Sequence, residues 1–187
     1  MISGARNDIC ILNCFFSPAG FRTPLLSFNT VTAKLLKSGA PLITVEAAFD
    51  NEPFQLSPQP GQTLIQLRAP ARLWLKERLL NIALSHVPPQ CDKVAWIDGD
   101  LLFERHDWID EASQLLESHE IVQLFDTIHY LPPGAKCFEG ISVRSHRSLL
   151  ALATDDGSDA VRRMQRGLTP YAVPGGALAA RREVLAA

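Results

Sequence analysis

The sequence has no uninterrupted apolar run near the ~20 residues that a membrane span requires, so no segment is expected to cross a bilayer. Its first eight residues are polar, with no apolar stretch behind a basic start, and a secretory signal peptide is not expected. It also lacks an excess of charge of either sign. Lys and Arg number 18 against 20 Asp and Glu, and a net charge of −2 gives no basic field for nucleic acid or an anionic membrane. The four cysteines, Cys10, Cys14, Cys91 and Cys137, form no metal-type C-x-x-C pair. With no secretory context they are expected as reduced thiols in a cytoplasmic protein. The five histidines, His86, His106, His119, His129 and His146, show no i, i+4 metal spacing. There is no internal repeat or low-complexity tract. What is present is a chain of 187 residues, 47% apolar and 20% charged, a composition that suits one globular domain and is too apolar for a disordered one.

Strands and helices alternate along it. Residues 9–16 form an apolar run rich in strand formers that ends in a Ser-Pro-Ala-Gly turn. Thr23 and Pro24 read as an N-cap and first helical position, followed by Leu25, Phe28, Val31, Thr32, Leu35 and Leu36 at helical spacing. Residues 42–49 form a second buried strand, which completes a β-α-β unit with parallel strands. Pro53, Pro58 and Pro60 mark residues 50–61 as a loop before a short strand at 63–67. A helix is then expected from Pro70 to Val87, a strand up to Asp98, a helix capped by Asp107, and a strand over 120–125. Beyond Tyr130 the pattern weakens. A helix over 145–154, a short helix from Ser158 through Val161 and Met164 to Gly167, and a last strand and helix start after Gly175-Gly176 are the expectations there. The fold class is a single three-layer, Rossmann-like α/β domain over 1–187 with a mostly parallel sheet. Trp74, Trp96 and Trp108 fall on predicted apolar faces and are expected in the core.

The densest signal lies in Lys93-Val94-Ala95-Trp96-Ile97-Asp98-Gly99-Asp100. An apolar strand ends there in two carboxylates on either side of a glycine, and Leu101-Leu102-Phe103 follows directly. The carboxyl ends of parallel strands are where open α/β sheets place ligands. Two Asp residues at such an end can share a hard divalent cation, and flanking apolar segments make uncompensated carboxylates costly. Gly99 is expected to allow a tight turn that aims both carboxylates at one point. Asp98 and Asp100 are therefore the candidate metal ligands, for Mn²⁺ or Mg²⁺.

Together with the helix around residues 74–81, Gly175-Gly176 and Arg181-Arg182, this stretch resembles the GT-A class of nucleotide-sugar glycosyltransferases, and within it the bacterial family-two-like group. The resemblance implies a metal bridging the diphosphate of a UDP- or GDP-sugar donor, with Asp98 near the ribose or metal and Asp100 as the more direct ligand. It implies that the loop from Ser17 to Arg22 lines the nucleotide. It also implies that an acidic residue near the end of the second strand, Glu46 or Asp50, reads the base, and that Arg68 and Lys76 meet the diphosphate charge. Asn81 matches an asparagine on the family's helix, although packing in the core would explain it equally.

The acceptor is not legible. In this class the general base lies after the Gly-Gly and Arg-Arg region, and the chain ends at Ala187, so a C-terminally truncated donor half is expected; Asp126, at a strand end, is the candidate base within the chain. Two other readings stand beside this one. One is a haloacid-dehalogenase-like phosphatase with Asp98 as nucleophile, and the other is a nucleotide-binding module without turnover.

Overall fold

The computed structural model describes residues 7–17, 22–71, 73–132, 134–135, 143–156, 162, 166 and 172–185. Strands β1 (Ile9–Phe16), β2 (Leu42–Phe49), β3 (Gln62–Ala69) and β4 (Lys93–Ile97) pair in parallel, with Ile11 opposite Leu42, Leu42 opposite Gln62, and Ile9 opposite Lys93. Two more strands, β5 (Ile121–Gln123) and β8 (Ala177–Arg181), complete a six-stranded sheet of order β3-β2-β1-β4-β8-β5 in which β8 runs antiparallel to β4. The fold is thus α/β with a mostly parallel sheet, as the alternation predicts. β2 is buried along its whole length and β1 nearly so, which is why both read as continuous apolar runs instead of alternating ones.

Side-chain alternation in β1 assigns the two faces of the sheet. Cys10, Leu12 and Cys14 face helix α2 (Lys76–Leu84), which buries Leu79 and Ala83 against them and against Val45. Phe15 lies on the opposite face, where Phe28 of α1 (Arg22–Leu35) packs on it with ring centroids 5.0 Å apart and Leu56 joins them. Helix, sheet and helix are the three layers. A 3₁₀ turn, Leu36–Ser38, closes α1, and Gly39 behind it takes φ 74°, a conformation that favours glycine. Helix α3 (Trp108–Leu115) buries Ile109, Ala112 and Ser113.

Several local expectations change. The helix expected from Pro70 begins at Lys76, and Trp74 before it is 72% exposed instead of in the core. Its ring meets Phe16, the last residue of β1, edge-on at 5.5 Å, so it sits past the end of the strand, where little sheet remains to cover it. Trp96 and Trp108 are half-buried. Asp107 occupies the N-cap position of α3 without a side-chain cap bond, because its carboxylate takes two hydrogen bonds from the Arg105 guanidinium, at 2.9 and 2.7 Å. Asn81 is exposed on α2 and does not serve the core.

The chain divides into two compact units, Met1–Val122 with Ala177–Ala187, and Gln123–Gly176. The second holds an antiparallel pair, β6 (Thr127–Tyr130) and β7 (Arg144–Arg147), and helix α4 (Leu149–Asp156), where one helix over 145–154 was expected. Every residue of β7 is polar, so no apolar alternation announces this strand. The first unit closes with α5 (Arg182–Leu185). The short helix expected from Ser158 to Gly167 and the loop at 18–21 lie outside the described residues.

Candidate functional site

Because β1 to β4 are parallel, their carboxyl ends share one edge, and the candidates from the first unit gather along it. Ser17 follows β1 and is buried, Asp50 follows β2, Arg68 is the penultimate residue of β3, and Asp98 follows β4. Arg22 opens α1 with its side chain exposed.

Asp98 continues the alternation of β4. Trp96 is in register with Leu12 on the α2 face, and Asp98, two residues on, meets the α2 layer: its Oδ1 forms an ion pair with the ammonium of Lys76, the first residue of that helix. The pair is partly sheltered, with side chains 23% and 33% exposed. Cys14 lies beneath it in the core; burial pushes its thiol up to about 12, with Lys76 opposing the shift and Asp98 and Glu77 adding to it. A thiol so placed stays neutral and adds no anion to the site.

After Asp98 the chain turns. The Leu101 amide donates to the Asp98 carbonyl at 3.3 Å, and Asp100 between them is exposed. Gly99 does not need the left-handed region for this turn, since its φ is not among the positive ones. It is glycine because the backbone presses on Phe28: a Cβ there would lie 2.4 Å from Phe28 Cδ2. The tight turn expected at Gly99 is present, and the contact with Phe28 is a further demand for glycine that nothing in the spacing of Phe28 signals. Among the described residues no group of three or more His, Cys, Asp or Glu is arranged to hold a metal. Two carboxylates alone are too few for an all-protein cage, so a divalent cation held here would take the rest of its shell from water or phosphate oxygens.

The other candidates have structural partners. Glu46 is 1% exposed, and its carboxylate accepts from the Gln55 amide at 2.5 Å, the Leu56 amide at 3.2 Å and Gln66 Nε2 at 2.8 Å, which ties the 50–61 loop to the sheet. Arg68 donates to the Glu52 carbonyl and, at 3.4 Å, to the Asp50 carbonyl, and its guanidinium lies 4.4 Å over the Phe54 ring. Arg182 donates to the carbonyl of Pro88 at 3.2 Å and acts as a strut below the sheet. In the second unit, Asp126 accepts from Arg147 at 2.9 Å and from Thr127 at 2.7 Å, and the Arg147 hydrogen bond, foremost, holds its carboxyl below the usual range. A carboxylate tuned that way is a weak proton acceptor at neutral pH. A cavity of about 230 Å³ runs between α1 and residues 101–108, lined by Val31, Leu35, Leu102, Phe103 and Trp108, and neither aspartate lines it.

No family profile matches the chain, and no curated protein matches it. Among solved structures it is similar to Rv0371c from Mycobacterium tuberculosis H37Rv, at 14% identity and a TM-score of 0.42, over 62% of this chain and 63% of that one. The complex of the same protein with manganese matches at 15% identity and a TM-score of 0.38, over 62% and 61% of the two chains. The 4-diphosphocytidyl-2C-methyl-D-erythritol synthase from Anaerococcus prevotii DSM 20548 matches at 10% identity and a TM-score of 0.40, over 95% and 72%. The chain spans less than two thirds of the length of the Rv0371c structures. Likeness at this level assigns neither activity nor ligand to this chain.

Proposed function

We propose that the carboxyl edge of the sheet binds a nucleotide-diphosphate sugar through a divalent cation held by Asp98 and Asp100, and that residues 1–187 form the donor-binding domain of a GT-A-type glycosyltransferase. The observation that carries this reading is the position of Asp98. It leaves β4 beside the central strand β1 and is partly buried with its charge already met by a cation, and Asp100 follows two residues on and is exposed.

When bound, Mn²⁺ or Mg²⁺ supplies Lewis-acid stabilisation to the diphosphate as it leaves. The chain's own residues supply position and charge. Lys76, paired with Asp98, would meet the diphosphate charge, and Arg68, whose guanidinium lies 4.4 Å over the Phe54 ring, would extend the positive charge along the carboxyl edge. Ser17 and Arg22 frame the entry to α1, where the nucleotide would sit. Of the two acidic candidates for the base, Glu46 is committed to the loop and Asp50 stands at the carboxyl end of β2. No residue is assigned to the acceptor proton, because Asp126 is held as the ion-pair partner of Arg147.

Titration calorimetry with MnCl₂ and either UDP or GDP tests this reading. The expected result is nucleotide binding that requires the metal and is lost in Asp100→Ala. Nucleotide binding that persists in a chelator would overturn it. Hydrolysis of an aryl phosphate that is lost in Asp98→Asn would replace it with the phosphatase reading.

A further inference from the structure

We infer that Lys76 is the resident counter-ion of Asp98 and exchanges partners on ligand arrival: it neutralises the carboxylate in the ligand-free protein and moves to a diphosphate oxygen when a divalent cation takes Asp98. The inference rests on the metal-diphosphate reading above and adds a residue whose interactions change sign with occupancy.

The placement of Lys76 argues for such a role. It is the first residue of α2, at the positive end of the helix dipole, where a cation is electrostatically disfavoured and an acid such as Glu77 is favoured. The only acid for which an ion pair with Lys76 is found among the described residues is Asp98. Lysine also suits a moving contact: its ammonium is a point charge on a flexible stem, with no fixed fork of donors to satisfy. Its side chain is 23% exposed and that of Asp98 33%, so the pair borders solvent and can open without breaking the core. A divalent cation at Asp98 and the ammonium of Lys76 cannot both hold the same carboxylate oxygen without strong repulsion. A diphosphate on that cation brings new anionic oxygens to the place where Lys76 is released.

The two binding steps therefore respond to Lys76 in opposite directions. In Lys76→Met, which keeps the stem and the helix propensity, Mn²⁺ alone should bind about threefold tighter, because no ion pair must be opened. Inorganic pyrophosphate, titrated at saturating Mn²⁺, should bind about tenfold weaker, because a charge-assisted hydrogen bond is lost. Lys76→Arg should restore both affinities toward wild type. Manganese binding is read by electron paramagnetic resonance and pyrophosphate binding by calorimetry, with circular dichroism confirming that α2 is intact. If Lys76→Met leaves both affinities unchanged or moves both the same way, the exchange is overturned while the metal site stands. If the wild-type protein binds no Mn²⁺, the site and the exchange fall together.

Discussion

Gly99 and Phe28 are in contact so close that the loop carrying the two aspartates is set by a ring of α1: a Cβ on Gly99 would fall 2.4 Å from Cδ2 and 3.0 Å from Cε2 of that ring. Phe28 is 2% exposed and packed on Phe15, so the ring cannot swing away. Gly99→Ala must therefore displace the turn or strain the core, at a cost of about 1–3 kcal/mol. Urea unfolding should show that loss. Adding Phe28→Leu, which vacates the clash, should return part of it, so that the double-mutant cycle gives a favourable coupling between the two sites. Additive effects would mean that the turn is not held by Phe28.

Glu46 should prove structural in its own right. Three N–H groups converge on its buried carboxylate, and an amide at that position turns one acceptor into a donor facing other donors. Glu46→Gln is expected to destabilise the fold by about 1–3 kcal/mol. Amide hydrogen exchange should quicken at Gln55 and Leu56, and the affinity for UDP or GDP at saturating Mn²⁺ should change less than twofold. An affinity loss without a loss of stability would return Glu46 to the nucleotide.

The parallel sheet and the place of Asp98 at the end of β4 were legible because continuous apolar runs of five to eight residues, punctuated by turns, mark strands buried on both faces. What was not legible depends on contacts between distant residues. Trp74 belongs to the apolar pattern of its segment, yet the strand below it ends at Phe16 and leaves it exposed. Lys76 and Asp98 are 22 residues apart, and only the packing of α2 over β1 and β4 makes them a pair. The β7 strand has no apolar residue to announce it, and β6 offers only Ile128 and Tyr130 in a run of four.

The buried thiols should make stability fall in alkali. Burial, above all, pushes both Cys10 and Cys14 up to about 12 from an ordinary value of 9.0. Between those values the unfolded chain has released protons that the folded chain retains, so ∂ΔG/∂pH is negative. The contribution is whole below pH 9 and is lost as pH rises toward 12. Urea midpoints measured from pH 7 to 11 should hold steady at first and then decline above about 9, and Cys10→Ala with Cys14→Ala should flatten the decline even though it lowers the plateau. A wild-type midpoint that stays level throughout would show that these thiols ionise as easily in the fold as outside it.

Trp74 offers a direct view of the site without any activity. It stands two residues before Lys76, with its indole N–H donating to Glu77 at 3.3 Å and its ring edge-on to Phe16, at the strand end nearest the Lys76-Asp98 pair. Trp96 and Trp108 are more sheltered, so the emission that an aqueous quencher such as iodide reaches belongs chiefly to Trp74. Removing its ring should cost little stability, since a side chain 72% exposed contributes little buried area. In Trp74→Phe, iodide quenching should drop sharply while the urea midpoint shifts by less than about 1 kcal/mol equivalent. Wild-type emission should then change when MnCl₂ and pyrophosphate are added together, and the change should vanish in Trp74→Phe and in Asp100→Ala. A ligand-induced change that survives in Asp100→Ala would locate the bound diphosphate elsewhere on the molecule.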